Sequence, residues 1–425
     1  MPEHRRCLHT TVAPRCAAEL PVYAAFLTTV VALASLTFGA VSRAAAEEAR
    51  DQYESELIFP LEPWHNHSSC IVEAPDGGLL ACWYHGSGER SADDVIIEGA
   101  RKRPGQTGWS ERFVLADTAG YPDCNPAMYV DSQQRLWLFW PTILDHHWES
   151  ALLKYRIASD WQSVDGAPRW DWQGVLHITP EDLDERLNAA IDALPETLRS
   201  NPRAARYLEE VRRRAESELY LRLGWMPRAH PTRLSSGKWI LPLYCDTFSI
   251  SIMAITSDDG ATWEVSEPLI GFGNIQPSVV QRGDGTLVAM MRENGPRNRI
   301  RISESPDEGR TWGPVGEMEL PNPGSGLEVI RLENGQWALI YNDTVRGRHS
   351  LAVSLSDDEG KTWKWTRHLE LVEPGQGSFS YPSIIQGSDG WLHATYSYHL
   401  PGGRKSIKYA RFTTGWVQAG DSDRP

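Results

Sequence analysis

Six polar side chains recur at one place in a repeating pattern. His65, His67, Asn125, His230, Gln276 and Tyr381 each stand just before or at the first strand of a similar segment. Groups at equivalent starts converge when the segments are arranged about one axis, and polar groups converging on a concave mouth are the usual basis of a ligand site. Any one of them could simply bond backbone carbonyls; the set together argues for function. Arg292 ends an apolar strand, Met290-Met291-Arg292-Glu293. Its structural alternatives are ion pairs with Glu293 or Asp284, but strand neighbours point to opposite faces, which weakens the first. The tandem His146-His147 does not aim two rings at one metal in a strand. The chain has no phosphate-cradling glycine loop, no His-Glu-x-x-His helix and no Gly-x-Ser-x-Gly turn, so nucleotide, zinc-protease and serine-hydrolase chemistry lack their signatures.

The elements that must position these residues are read from self-similarity. Ser/Thr-x-Asp-x-Gly-x-Thr-Trp occurs three times, over Thr256–Trp263, Ser305–Trp312 and Ser356–Trp363, with starts 49 and 51 residues apart. Asp and Gly close a tight hairpin, the hydroxyl bonds turn backbone, and the Trp packs on its own sheet. A looser pattern of two apolar strands around a Gly or Asn turn occurs six times: Cys70–Cys82, Pro126–Trp140, Pro231–Tyr244, Pro277–Met290, Leu327–Tyr341 and Pro382–Tyr396. A period of ~40–50 residues suits a four-stranded antiparallel blade, so the expected fold is all-β, a six-bladed β-propeller. The gap from Pro126 to Pro231 is 105 residues, about double the others. It predicts a helical insert over 179–223, with Thr179 as cap, Pro180 in the first turn and a second helix from Pro202 to Leu223 presenting Tyr207, Val211 and Leu219 on one side. The insert is read as decoration of an edge or top face rather than as a gate.

The three motifs resemble the Asp-boxes of the sialidase superfamily, and the six-copy pattern is similar to its propeller. The likeness spans most of Leu57–Val417, the insert excepted. It gives Asp258, Asp307 and Asp358 a structural role in blade turns. It also implies a pocket in which three arginines grip a carboxylate in bidentate fashion, a Tyr activated by a Glu attacks the sugar, and an Asp moves the proton. Arg292 and Arg348 match two of the arginines, and Tyr381 matches the nucleophile. His67 stands where the first arginine belongs, Gln276 where the activating Glu belongs, and Ser397 where an acid buttresses the arginines. Asp93 and Asp94, with Glu89 in the same loop, are the nearest candidates for the proton carrier. A neutral Gln cannot take the Tyr proton, so a phenol with an ordinary pKa of ~10 needs the arginines to ionise it, and His67 carries charge only near or below ~6.5.

Three functions remain open on these residues. The first is an exported exo-alpha-sialidase-like glycoside hydrolase acting on a terminal acidic sugar. The second is a lyase on uronic-acid chains, with Arg292, a His among His65, His67 and His230, and Tyr381 as its groups. The third is a non-catalytic glycan-binding propeller using Trp64, Trp148 and Trp225. No cofactor or metal is expected, and the partner is an acidic glycan.

Composition narrows the class. The 425 residues are 41% hydrophobic and 23% charged, with 18 Trp, an ordinary globular balance. Residues 1–46 read as an export signal: Arg5, Arg6 and Arg15, an uncharged run from Leu20 to Ala40, then Ala44-Ala45-Ala46 before Glu47. A retained anchor helix is the alternative; the cleaved form has no stable membrane insertion and is secreted or periplasmic. The net charge of -14 disfavours nucleic acid and anionic surfaces. Four cysteines follow the signal, Cys70, Cys82, Cys124 and Cys245, either paired or as buried thiols.

Overall fold

A computed structural model describes residues 53–162 and 165–421; the signal-peptide expectation lies outside them. Six antiparallel sheets follow one another along the chain as six blades. Blade 1 runs through His65–Glu73, Leu79–Gly86, Ile96–Lys102 and Phe113–Ala116, and blade 2 through Ala127–Val130, Leu136–Ile143, Ala151–Ala158 and Trp172–Val175. Blade 3 has an interrupted inner strand, Met226–Pro227 and Thr232–Arg233, both paired to Trp239–Cys245, followed by Ile250–Thr256 and Glu264–Val265. Blades 4 and 5 start at Asn274–Gln281 and Glu328–Arg331. Blade 6 combines Ser378–Gln386, Leu392–Leu400 and Arg404–Phe412 with Tyr53–Leu57, so a strand from the start of the described chain closes the ring against its end. The second strands are buried and largely apolar on both faces, because each is covered by neighbouring blades.

The repeated turns lock as their sequence implies. In the first, Thr256 Oγ1 donates to Asp258 Oδ1 at 2.9 Å, and Asp258 accepts from Thr262 N at 2.8 Å and Thr262 Oγ1 at 2.6 Å. The Ser305 and Ser356 turns repeat these bonds. Trp263 meets Trp239 of its own blade at 4.8 Å and also Trp137 of the preceding blade at 6.4 Å, so this turn ties two blades together.

The insert is helical at Leu183–Asp192, Glu196–Arg199, Pro202–Ala215 and Glu218–Arg222. Two expectations change. The first helix begins at Leu183 behind a left-handed Asp182 (φ 52°) instead of at Pro180, and the second breaks after Ala215. Its buried face is Leu208, Val211 and Ala215, while Leu219 is 60% exposed, because the break rotates Leu219 off the stripe. The insert is tied to the propeller: Tyr207 OH donates to Phe248 O at 3.0 Å, and Arg214 pairs with Glu149 at 2.9 Å, both on loops beside the inner-strand starts. The four cysteines named above are free and buried. Among the described residues no helix is long and apolar enough to cross a membrane.

Candidate functional site

The inner strands begin in a distorted way that aims their first side chains at the axis. Registers slip between His67 and Cys70, Ile275 and Ser278, and Ser380 and Ser383. Ser68, Gln276 and Tyr381 within these bulges have φ of 56°, 53° and 52°, and Asn125 in blade 2 has 40°. Bulges re-aim side chains, and left-handed backbone at non-glycine residues marks strain held for function. At three of these positions a proline follows, Pro126, Pro277 or Pro382; it lacks the N–H that the bulge would leave unpaired.

Tyr381 is the centre. Its hydroxyl accepts from Arg292 Nη1 at 2.7 Å and from Gln276 Nε2 at 3.2 Å. Gln276 Nε2 also reaches Tyr244 OH at 3.2 Å, which receives Asn125 Nδ2 at 3.3 Å. Three guanidinium carbons surround the Tyr381 ring: Arg228 and Arg348 at 5.2 Å and Arg292 at 5.9 Å from its centroid. Among the described residues none of the three has a carboxylate within ion-pair distance. Arg292 pairs with neither Glu293, which binds Arg301 at 3.2 Å, nor Asp284. Arg348 donates to Gly324 O at 3.0 Å and Ser380 Oγ at 3.4 Å. Arg228 is buried beneath the floor, bonds Pro382 O through Nη2, and leaves Nε and Nη1 without a partner. Burial acts to raise the Tyr381 pKa, but Arg292, Arg348 and the Gln276 donor outweigh it, so the phenol lies below its ordinary value.

The His67 ring lies tilted against Tyr381 with centroids 4.3 Å apart, and its Nδ1 meets Ser397 Oγ at 2.7 Å. An Arg-to-acid contact is thus replaced by a neutral His–Ser contact. Burial first, then His399 and Arg348, push His67 well below its usual range, so it is a neutral imidazole. His65 lies at the same mouth, 3.8 Å from Glu89, whose carboxylate takes the Tyr84 hydroxyl at 2.6 Å.

Other expected residues stand elsewhere. Asp93 faces His146 at 2.6 Å on the exposed side of its loop, and Asp94 caps Ser87; neither contacts Tyr381 or its arginines. His230 is in the shaft beneath the mouth. Its ring donates to Glu328 Oε1 at 2.8 Å and Ile71 O at 2.7 Å, with Cys70 Sγ at 3.3 Å. Two acceptors on two ring nitrogens require an imidazolium. Burial opposes that charge, but Cys70 and Glu328 outweigh it and raise the pKa. Trp225 is 3% exposed and so is excluded from sugar stacking, while Trp64 is 46% exposed. A cavity of 890 Å³ at the opposite end of the shaft is lined by strand ends such as Val72, Thr232, Val280, Arg282 and Ile384, without Tyr381. Arg228 escaped the sequence reading because it belongs to no motif. The one signal was a cation in the apolar run Trp225-Met226-Pro227, three residues before the repeat proline Pro231.

The model of the BNR repeat-like domain matches residues 77–187 and 212–394. A sialidase of Micromonospora viridifaciens is 25% identical over 177 residues, which is 39% of this chain and 26% of that protein, so the chain spans about a quarter of that relative's length. A Dyadobacter fermentans protein of unknown function shares the fold at TM-score 0.63 and 15% identity, over 84% of this chain and 97% of the other. The leech intramolecular trans-sialidase, solved with 2,7-anhydro-Neu5Ac, does so at TM-score 0.64 and 12% identity, over 86% and 71%. With these matches and six blades around an arginine-ringed tyrosine, the chain belongs to the BNR repeat family of the sialidase superfamily.

Proposed function

We propose that the protein is an exported glycoside hydrolase that releases a terminal acidic sugar from glycans, with Tyr381 as nucleophile. The observation that carries this reading is the set of three guanidiniums around Tyr381 that, among the described residues, have no carboxylate within ion-pair distance. Buried charge is normally paired, so the missing partner is one a ligand brings. Arg292 and Arg348, half-buried, face that ligand and suit a carboxylate in forked geometry. Arg228, fully buried, supplies field from below.

The same cations replace the absent base. With Gln276 donating instead of accepting, Tyr381 is activated by stabilising its phenolate rather than by proton removal to a neighbour. Attack on the anomeric carbon then needs the leaving oxygen protonated from above, and water completes the second displacement. A neutral His67 beside Tyr381 favours one second reading, proton abstraction next to a carboxylate in a lyase.

A panel of sialosides and uronate oligosaccharides, followed by mass and ultraviolet absorbance, tests these readings. Release of a saturated acidic sugar, abolished by Arg292→Ala and Tyr381→Phe, is the expected result. An unsaturated product would move the assignment to the lyase, and binding without turnover to a glycan-recognition module.

A further inference from the structure

The mouth holds two carboxyl groups in opposite environments. Glu89 is ringed by donors: Tyr84 OH at 2.6 Å, Arg90 Nη1 at 3.4 Å and His65 Nε2 at 3.8 Å. Burial would raise its pKa, but His65, Tyr84 and Arg90 hold it below the usual value, so it stays ionised. Asp246 is the reverse. It directly follows the strand Trp239–Cys245, two residues after Tyr244 of the Tyr381 network, in the turn that returns at Ile250. It is half-buried and, among the described residues, its carboxyl makes no hydrogen bond and no ion pair.

The charged groups near Asp246 are four, from three other elements. They are Arg292 at the end of blade 4's second strand, Glu149 in the turn after Ile143, and Arg90 and Glu89 in the blade 1 loop; the insert contributes indirectly through Arg214, which fixes Glu149 at 2.9 Å. Burial pushes Asp246 up to about 6. Glu149 and Glu89 add to this, while Arg292 and Arg90 oppose it. Two titratable groups driven apart in this way mark acid and base roles. A half-buried carboxyl two residues past Tyr244 of the Tyr381 network, with no hydrogen-bond partner among the described residues, has its hydrogen bond to give to a ligand.

We infer that Asp246, and neither Asp93 nor Asp94, is the proton donor to the glycosidic oxygen. The assignment rests on the glycosidase reading above. In the first step the Tyr381 oxygen bonds the anomeric carbon, the bond from that carbon to the leaving oxygen breaks, and the Asp246 proton moves to that oxygen. In the second step water attacks the same carbon, the Tyr381 bond breaks, and the water proton returns to Asp246. Glu89 stays charged and supports the oxocarbenium character between the steps.

The experiment compares two glycosides of the same acidic sugar, one with a sugar alcohol oxygen leaving and one with an acidic phenol leaving, on wild type, Asp246→Asn, Asp246→Glu and Asp93→Asn, with thermal melts to confirm folding. General acid catalysis contributes ~10²–10⁴-fold. Asp246→Asn therefore loses about that factor on the first substrate, much less on the second, and the alkaline limb of the kcat/KM profile flattens. Asp246→Glu keeps a displaced limb, and Asp93→Asn behaves as wild type. Equal losses on both substrates, or an intact limb in Asp246→Asn, would overturn the assignment while leaving the glycosidase reading in place. A wild type inactive on both substrates would overturn the glycosidase reading and the assignment with it.

Discussion

Replacing Arg292 by Leu isolates the interaction that substitutes for a general base. Arg292 Nη1 lies 2.7 Å from the Tyr381 oxygen, a charge-assisted hydrogen bond in a site removed from water, of the kind worth ~1.5–3 kcal/mol. At 1.36 kcal/mol per pKa unit this corresponds to a rise of about 1–2 units. Burial, the largest influence on Tyr381, acts upward. Arg348 and the Gln276 donor are then left to counter it, and the phenol moves upward from its lowered value. Tyrosinate ultraviolet absorbance reads this directly, since the wild-type curve minus the Tyr381→Phe curve isolates one of the 14 tyrosines. The expected difference curve has a midpoint below 10 in the Arg292 background and one displaced upward in Arg292→Leu. A difference curve with its midpoint unmoved by Arg292→Leu, or Tyr381→Phe removing no transition below 10, would refute electrostatic activation.

Three further outcomes follow from the same contacts. Asp246 has its folded pKa raised from 3.8 to about 6, so its ionisation opposes folding; that cost is complete above about pH 6 and absent below about pH 4. Asp246→Asn should gain up to about 3 kcal/mol near pH 8 and nothing near pH 3.5 in urea titrations. Glu328 accepts from His230 N, His230 Nδ1 and Ile384 N at 2.7, 2.8 and 2.8 Å. Glu328→Gln should cost about 3–5 kcal/mol by leaving a buried imidazolium uncompensated, which denaturant midpoints check. Gly360 has φ +82° and a Cβ there would lie 2.6 Å from Trp337, whereas Gly335 (φ +86°) faces open space. Gly360→Ala should therefore lose about 2–5 kcal/mol and Gly335→Ala about 1–2 kcal/mol, compared by thermal melts.

The architecture was legible because its signals are local. Each Asp-box folds within eight residues through bonds such as Thr262 N to Asp258 Oδ1, and Trp137, Trp239 and Trp337 are buried at repeating hairpins. The insert was legible in extent, but its helix ends were not. Asp182 adopts a left-handed conformation where the Pro180 signal pointed to helix. Tyr381, Gln276, Arg292, Arg348 and His67 were legible as a cluster because they sit at repeat starts or at positions matching family residues. Arg228 and Asp246 were not, since what distinguishes them is burial with no opposite charge in ion-pair distance among the described residues, which depends on residues far apart in the chain. His230 shows the opposite failure: its position at a repeat start gave the correct axis but the wrong depth, because blade 3's inner strand is interrupted and the ring falls onto Glu328 of blade 5.

Covalent capture at Tyr381 tests the central claim most directly. Wild-type protein mixed with a glycoside of an acidic sugar and quenched during turnover, then digested and weighed by mass spectrometry, should yield the Tyr381 peptide heavier by one dehydrated sugar residue. Tyr381→Phe should yield none. Turnover without any adduct on that peptide, undiminished in Tyr381→Phe, would contradict the account.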